Sequence, residues 1–311
     1  LSDEAALEEH FMKAIVRAQY GSPDVLQVME VAKPIPKADE ILIKTHAASV
    51  NPLDWRFLRA KPFVIRLGGL RKPKYKILGI GIAGRVEAVG GSAKQFQPCD
   101  EVFGGAKNLG GFAEYVCTVE DNLALKPANL SFEEAAAVPV AALTALQGLR
   151  DKGGIQRGRK VLIDGASGGV GTFAIQIAKS FGAEVTAVCS ARNVDTARSL
   201  GAEHVIDCTR EDFTKSGQRY DLILAANAYH SIFDYRKALN RDGIYALAGG
   251  GGVQILQAMF LGPTTVTDPE QEDGFLGSED EPERFGFFER SPGKQESCTG
   301  HRQALSVKRR G

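Results

Sequence analysis

From Lys160 onward, short apolar runs alternate with stretches whose apolar residues recur at helical spacing. KVLIDG precedes GGVGTFAIQIAKSFG, and EVTAVCS precedes NVDTARSLG; HVIDC, YDLILAA, YHSIFDYRKALN and GIYALAGG follow. Each run reads as a strand and each periodic stretch as a helix. Strands that are apolar throughout and alternate with helices predict an α/β, doubly wound parallel sheet covered on both faces. The first half reads differently. A strand is expected at about Lys13–Gln19, and EILIKTHAASV, GRVEAVG and GGFAEYVCTV carry strand patterns between turns and glycines. This predicts a mostly β domain. SFEEAAAVPVAALTALQGL then switches to helical spacing, with Ser131 and Glu134 forming a capping box.

After Pro263 the pattern lapses into an acidic block followed by a basic end, a composition that reads as disordered. The expected organisation is an extension over 1–11, a catalytic domain over 12–135, a nucleotide-binding domain over 136–263 and an aberrant or disordered tail over 264–311. The stretch MKAIVRAQYG from Met12 looks like a natural start, which makes Leu1–Phe11 an upstream extension, a fragment scar or a frayed helix.

Composition narrows the function. The chain has 311 residues, enough for two cores, with 43% apolar and 24% charged residues. Its net charge is zero, which gives no support to a nucleic-acid or membrane-surface role driven by bulk charge. No apolar run reaches the length of a membrane span, and the acidic N-terminus lacks a signal pattern, so a cytoplasmic protein is expected. The five cysteines form no C-x-x-C pair, which argues against a disulfide framework or a structural zinc cluster.

The candidate chemistry lies in VLIDGASGGVGTFAIQIAKSFGAEVTAVCSAR. Gly165, Gly168 and Gly171 are spaced by three where strand becomes helix, with Ser167, Gly169 and Val170 between them. Glycines there allow positive φ and close approach of a pyrophosphate, which the free N–H groups and the helix dipole then hold. A NAD-preferring site ends the second strand in an acid; this chain reads VCSARN. Ser190 and Arg192 suit a 2′-phosphate instead, so NADPH is the expected cofactor. Asn227, after YDLILAA, and Gly249 and Gly250, closing GIYALAGG, stand at strand ends where such sheets bind ligands.

Together with AASVNPLDWRF, LGIGIAGRVEAVG, GGFAEYV and AAAVPVAALTALQGL, these residues resemble the medium-chain dehydrogenase/reductase superfamily, in its zinc-independent quinone oxidoreductase (zeta-crystallin-like) branch, from about Met12 to Pro263. The resemblance implies a groES-like catalytic domain, a Rossmann domain and substrate in the cleft between them. Relatives are commonly homodimers. Zinc-dependent relatives hold metal through a Cys and a His; Asn51 and Ile80 stand at those places here, so no metal is expected. The family often has an acid where this chain has Gly81, and a glycine where it has Cys99, which strains the turn if that glycine used positive φ.

Without metal, a quinone or an α,β-unsaturated carbonyl suits the site, because either delocalises the charge that hydride transfer leaves. Asn51 is the candidate polar contact to nicotinamide or substrate, or else an asparagine satisfying the turn before Pro52. Trp55 and Phe57 are candidates to line an apolar pocket or to be core. Thr144 resembles the family residue near the nicotinamide. No protein general acid stands out; water or a ribose hydroxyl remains. The other readings are a non-catalytic NADP-binding protein and a zinc-type alcohol dehydrogenase.

The family often ends in a run such as PVIDRRYPLSE, which this tail lacks. A reading frame displaced by one base turns Ser297–Arg309 into VVPVIDRRYPLSE for allowed codon choices. EDGFLGSEDEPERFGFF likewise yields KMGFLAAKMNRKDLGFL. Two readings stand: translation out of frame from about Thr264, which would leave the catalytic domain without its closing segment, or a natural disordered tail. Sequencing the coding DNA across Gly262 separates them. Out-of-frame translation requires the displaced frame to stay open to the family-like end, and early stop codons there would end it.

Overall fold

The computed structural model describes residues 10–61, 65–66, 69 and 72–251. The expected tail, the end of the expected nucleotide-binding domain and all but the last two residues of the expected extension lie outside that set.

The chain opens with β1 (Phe11–Arg17) paired antiparallel to β2 (Leu26–Ala32), with Phe11 opposite Ala32. Met12, Ala14 and Val16 alternate inward along β1, the period-two pattern of a half-buried strand. Next come β3 (Glu40–Ala48), helix α1 (Pro52–Arg59), β4 (Gly81–Val89), β5 (Glu101–Gly105), β6 (Tyr115–Val119) and β7 (Leu123–Leu125). The five strands from β3 form an antiparallel sheet in the order β6-β3-β4-β5-β7. Ile41, Ile43, Ile82, Val86, Val102 and Val116 fill its core. The four strands expected in this half are present, as β1, β3, β4 and β6. The sequence reading missed β2, β5, β7 and α1: β2 carries exposed Val28 and Met29, and β5 and β7 are too short for periodicity to register.

Helix α2 (Phe132–Leu146) joins the two halves. The capping box is present: Glu134 N–H donates to Ser131 Oγ at 3.1 Å and Ser131 N–H donates to Glu134 Oε2 at 2.9 Å. The helix packs on β3, β4 and β5 on one side and on the glycine-turn helix on the other. Alanine dominates it, and Ala135, Ala136, Ala141 and Ala145 are buried, so two layers approach closely at once. The expected domain division between residues 135 and 136 falls inside this helix.

The second half runs β8 (Lys160–Asp164), α3 (Gly169–Ser180), β9 (Glu184–Cys189), α4 (Val194–Ser199), β10 (His204–Asp207), β11 (Tyr220–Ala225), α5 (Ile232–Lys237) and β12 (Leu239–Leu247). The sheet is parallel, in the order β10-β9-β8-β11-β12. All five expected strands are present. Helix α5 is shorter than YHSIFDYRKALN, because Leu239 already pairs with Tyr220 and a register shift follows before Leu222 meets Ile244. Strand order reverses between β8 and β11, the point where doubly wound sheets open a crevice at their carboxyl ends.

Among the described residues Cys117, Cys189 and Cys208 are free thiols. Cys99 adopts φ +76°, so the strain expected where relatives carry glycine is present. Left-handed backbone costs a residue with a Cβ about 1–2 kcal/mol. Under reducing conditions, Cys99→Gly is expected to raise stability in urea by about 1 kcal/mol; an unchanged midpoint would show that the turn carries no strain.

Candidate active site

The glycine turn begins where β8 ends. Gly165 has φ +80°, and a Cβ there would lie 2.8 Å from Asn227 Cβ and 3.0 Å from Asn227 N. Gly171 is equally constrained, since its Cβ would stand 2.3 Å from the Gly165 carbonyl oxygen. These two glycines let strand, helix and the end of β11 converge. Gly168 and Gly169 differ: the nearest protein atoms to an added Cβ are at 3.5 and 3.7 Å. Packing within the protein therefore does not require glycine at either place, whereas close approach of a ligand to the backbone does. Gly168 is the N-cap of α3 and no side chain caps this 12-residue helix. Its first-turn amides are the groups a helix leaves unsatisfied and the natural seat of an anion.

Ser190 and Arg192 follow β9. Ser190 Oγ accepts from Asn193 Nδ2 at 3.1 Å. Arg192 is exposed and joins no ion pair among the described residues. The sheet brings up an acid from a different strand: Asp207 of β10 lies opposite Cys189. It accepts from the Thr209 hydroxyl at 2.7 Å and the Thr209 N–H at 3.0 Å, bonds that hold it below the usual carboxylate range. Arg210 lies 3.6 Å from its other oxygen, so its charge is engaged locally.

Asn51 caps α1 on the other half of the chain. Its amide nitrogen donates to Ser49 O at 3.2 Å and Ser49 Oγ at 3.1 Å. Buried Asp54 accepts from Asn51 N–H at 2.7 Å and Gly79 N–H at 3.0 Å, clamping the Asn51 turn to the loop that carries Ile80. Burial pushes the Asp54 carboxyl above its usual range against the pull of these two donors. The signal for Asp54 was present in the sequence, an acid three residues after an N-cap asparagine. At Gly81 a Cβ would meet Ser49 Oγ at 2.2 Å and Ala136 O at 2.9 Å, so this backbone has no room for the acid expected from the family resemblance. Trp55 is 47% exposed, and Phe57 packs edge-on against Tyr75.

Gly249 sits against the end of β11, its N–H donating to Ala225 O at 3.2 Å, while Ala228 bridges to Gly250. Arg56 of α1 donates from Nη2 to the Gly250 carbonyl at 2.7 Å and so ties the Asn51 helix to this corner. Nothing in the sequence marks Arg56. Thr144 donates its hydroxyl to Val140 O at 2.6 Å, and one turn before it Ala141 is the nearest neighbour of Gly169. Gly165, Gly168–Gly171, Asn227, Gly249 and Gly250 thus gather at the carboxyl ends of the strands, with Thr144 alongside. Two concavities among the described residues, of about 480 Å³ beside Arg157 and Asp221 and about 220 Å³ beside Tyr20 and Arg59, hold none of these residues.

Asn51 and Ile80 do not form a zinc centre with the described residues. Ile80 offers no donor, and the Asn51 amide nitrogen is hydrogen-bonded to Ser49. His46 stacks on Phe132 at 4.3 Å between centroids. Among the described residues no group of three or more His, Cys, Asp or Glu side chains could hold a metal ion.

Two family models match the chain: the alcohol dehydrogenase GroES-like domain over residues 37–128, and the zinc-binding dehydrogenase domain over 169–275. A 2-methylene-furan-3-one reductase of Solanum lycopersicum is 38% identical over 266 residues, 81% of this chain and 64% of that protein. An NADPH-dependent alkenal/one oxidoreductase of Arabidopsis thaliana chloroplasts is 36% identical over 226 residues, 69% of this chain and 57% of that protein. The solved structure of the quinone oxidoreductase from Coxiella burnetii superposes with a TM-score of 0.67 at 29% identity, covering 81% of this chain and 87% of that one. The chain spans about two thirds of the length of the first curated relatives it matches, 64%, 67% and 67%. With a GroES-like antiparallel sheet, a parallel sheet in Rossmann order and these matches, the chain belongs to the medium-chain dehydrogenase/reductase superfamily, on its quinone oxidoreductase-like branch.

Proposed function

We propose that this protein is a zinc-independent, NADPH-dependent reductase of quinones or α,β-unsaturated carbonyls. The observation that carries the reading is the pair Gly168 and Gly169, whose missing side chains leave room that no protein atom fills, above an uncapped helix N-terminus. The first-turn amides of α3 would hold the diphosphate, and Ser190 and Arg192 the 2′-phosphate. When bound, the nicotinamide supplies hydride. Asn227, Gly249 and Gly250 border its place at the strand ends, and Thr144 flanks it from α2. Asn51, its amide held by Ser49, gives the facing wall a fixed polar group. Negative charge on the reduced substrate is spread by conjugation, and water or a ribose hydroxyl provides the proton. Trp55 is assigned to the substrate side. A cytoplasmic location and a homodimer belong to the same proposal.

NADPH oxidation against a panel of small quinones and enones tests it. Turnover is expected with metal-free protein; stoichiometric zinc would revive an alcohol dehydrogenase, and NADPH binding without turnover would make the chain a nucleotide-binding protein alone. Gly168→Val is expected to abolish dinucleotide binding while leaving the melting temperature unchanged, because only the ligand occupies that space. Arg192→Ala is expected to weaken NADPH by roughly tenfold or more, the worth of a charge-assisted hydrogen bond, with NADH affinity unaltered. Equal loss for both coenzymes would remove Arg192 from 2′-phosphate recognition.

A further inference from the structure

One glycine of the antiparallel sheet is not required by the protein's own packing. Gly81, Gly84, Gly104 and Gly243, the other glycines of the described strands, would set a Cβ 2.2, 2.1, 1.9 and 2.8 Å from another atom. A Cβ on Gly105, the last residue of β5, would have no described protein atom within 4 Å. Its φ is not positive, and β4 and β5 pair through it without a register shift. Neither left-handed backbone nor a bulge therefore calls for glycine. Glycine weakens a strand, and with turn, bulge and packing set aside, the remaining reason for it is close approach of a ligand to the backbone.

Strand alternation places this gap. Phe103, two residues earlier, packs with Ala83 and with Ala135 and Ala136 of α2, so a side chain at Gly105 would project on that same face. Gly105 lies opposite Gly81, and residues opposite one another in an antiparallel pair share a face. Gly81 in turn lies against Ser49 Oγ, to which the Asn51 amide donates at 3.1 Å. Helix α2 closes over Gly81 with the Ala136 carbonyl and Val140, but it does not reach Gly105. The next residue of that helix, Ala141, is the nearest neighbour of Gly169. The gap therefore lies on the wall that carries Asn51, just past the helix that flanks the glycine turn. The backbone there is fixed: Thr118 Oγ donates to the Gly105 carbonyl at 2.9 Å, and Ala106 N–H donates to Ile80 O at 2.8 Å.

We infer that Gly105 is a specificity-determining residue, and that the space it leaves takes the second ring of a two-ring quinone whose reacting ring lies toward Asn51. The inference rests on the reading of the crevice as the site of a quinone or enone reductase. Backbone, alanine and Phe103 make this face uncharged, which suits a neutral planar ring. Ser49 and Asn51 supply the polar groups at its inner end. A one-ring quinone does not extend over Gly105.

Steady-state NADPH oxidation by the full chain, with the enzyme-free rate subtracted, compares naphthoquinone with benzoquinone. Gly105→Val adds a side chain that strands accommodate. It is expected to lower the ratio of the two kcat/KM values, naphthoquinone over benzoquinone, by roughly tenfold or more, the scale on which a filled apolar pocket discriminates. The change is expected in KM for naphthoquinone, with the NADPH Kd as in wild type. Gly105→Ala is expected to lower the ratio by less, and it carries the test should the valine variant melt early. An unchanged ratio, or parallel loss of both substrates, would overturn the inference. So would a wild type that reduces benzoquinone or enones but not naphthoquinone. A wild type that turns over no quinone and no enone would instead remove the reductase reading itself.

Discussion

The contact on which the rest depends is the approach of three backbone segments at the switch point of the parallel sheet. Gly165 lies against Asn227, and Gly171 lies against the Gly165 carbonyl, at separations no side chain allows. That convergence brings the start of α3 to the open end of the sheet. It also aligns the ends of β8, β11 and β12, so Gly249 and Gly250 border the same crevice. A residue with a Cβ at Gly165 or Gly171 would push the layers apart and disperse the groups they gather.

The second half of the site is assembled by helices rather than by the sheet. Alanine-rich α2 packs on the antiparallel sheet and on α3, which sets Thr144 beside α3. Arg56 reaches from α1 to the Gly250 carbonyl, so the helix capped by Asn51 is fixed to the nucleotide side at its middle. Asp54 fixes its start to Gly79. A buried acid and a spanning arginine thus fix the helix that Asn51 caps.

Two departures from the family's habits have local causes. Ser49 Oγ fills the space an acid at Gly81 would need, so Ser49 and Gly81 form one packing unit. Cys99 holds a left-handed backbone without glycine's freedom. Both involve the antiparallel sheet, where side chains face one another across strands and a single exchange is felt at once.

Periodicity alone determined the five parallel strands, the capped helix at Ser131 and the glycine turn, because each is written in contiguous residues whose spacing is its own evidence. The short strands β5 and β7 and the exposed β2 were not legible, since pairing with a neighbouring strand, not local pattern, makes them strands. The same limit applies to the site. Glycine spacing marks the proposed diphosphate cradle, and the missing acid after β9 is visible in VCSARN. Asp207 beside Cys189, Arg56 on Gly250, Tyr235 on Asp164 and Ser49 against Gly81 pair residues that are far apart in the chain or on different strands and loops. Only tertiary packing decided those, because no local pattern encodes which distant group will meet a buried charge or an absent side chain.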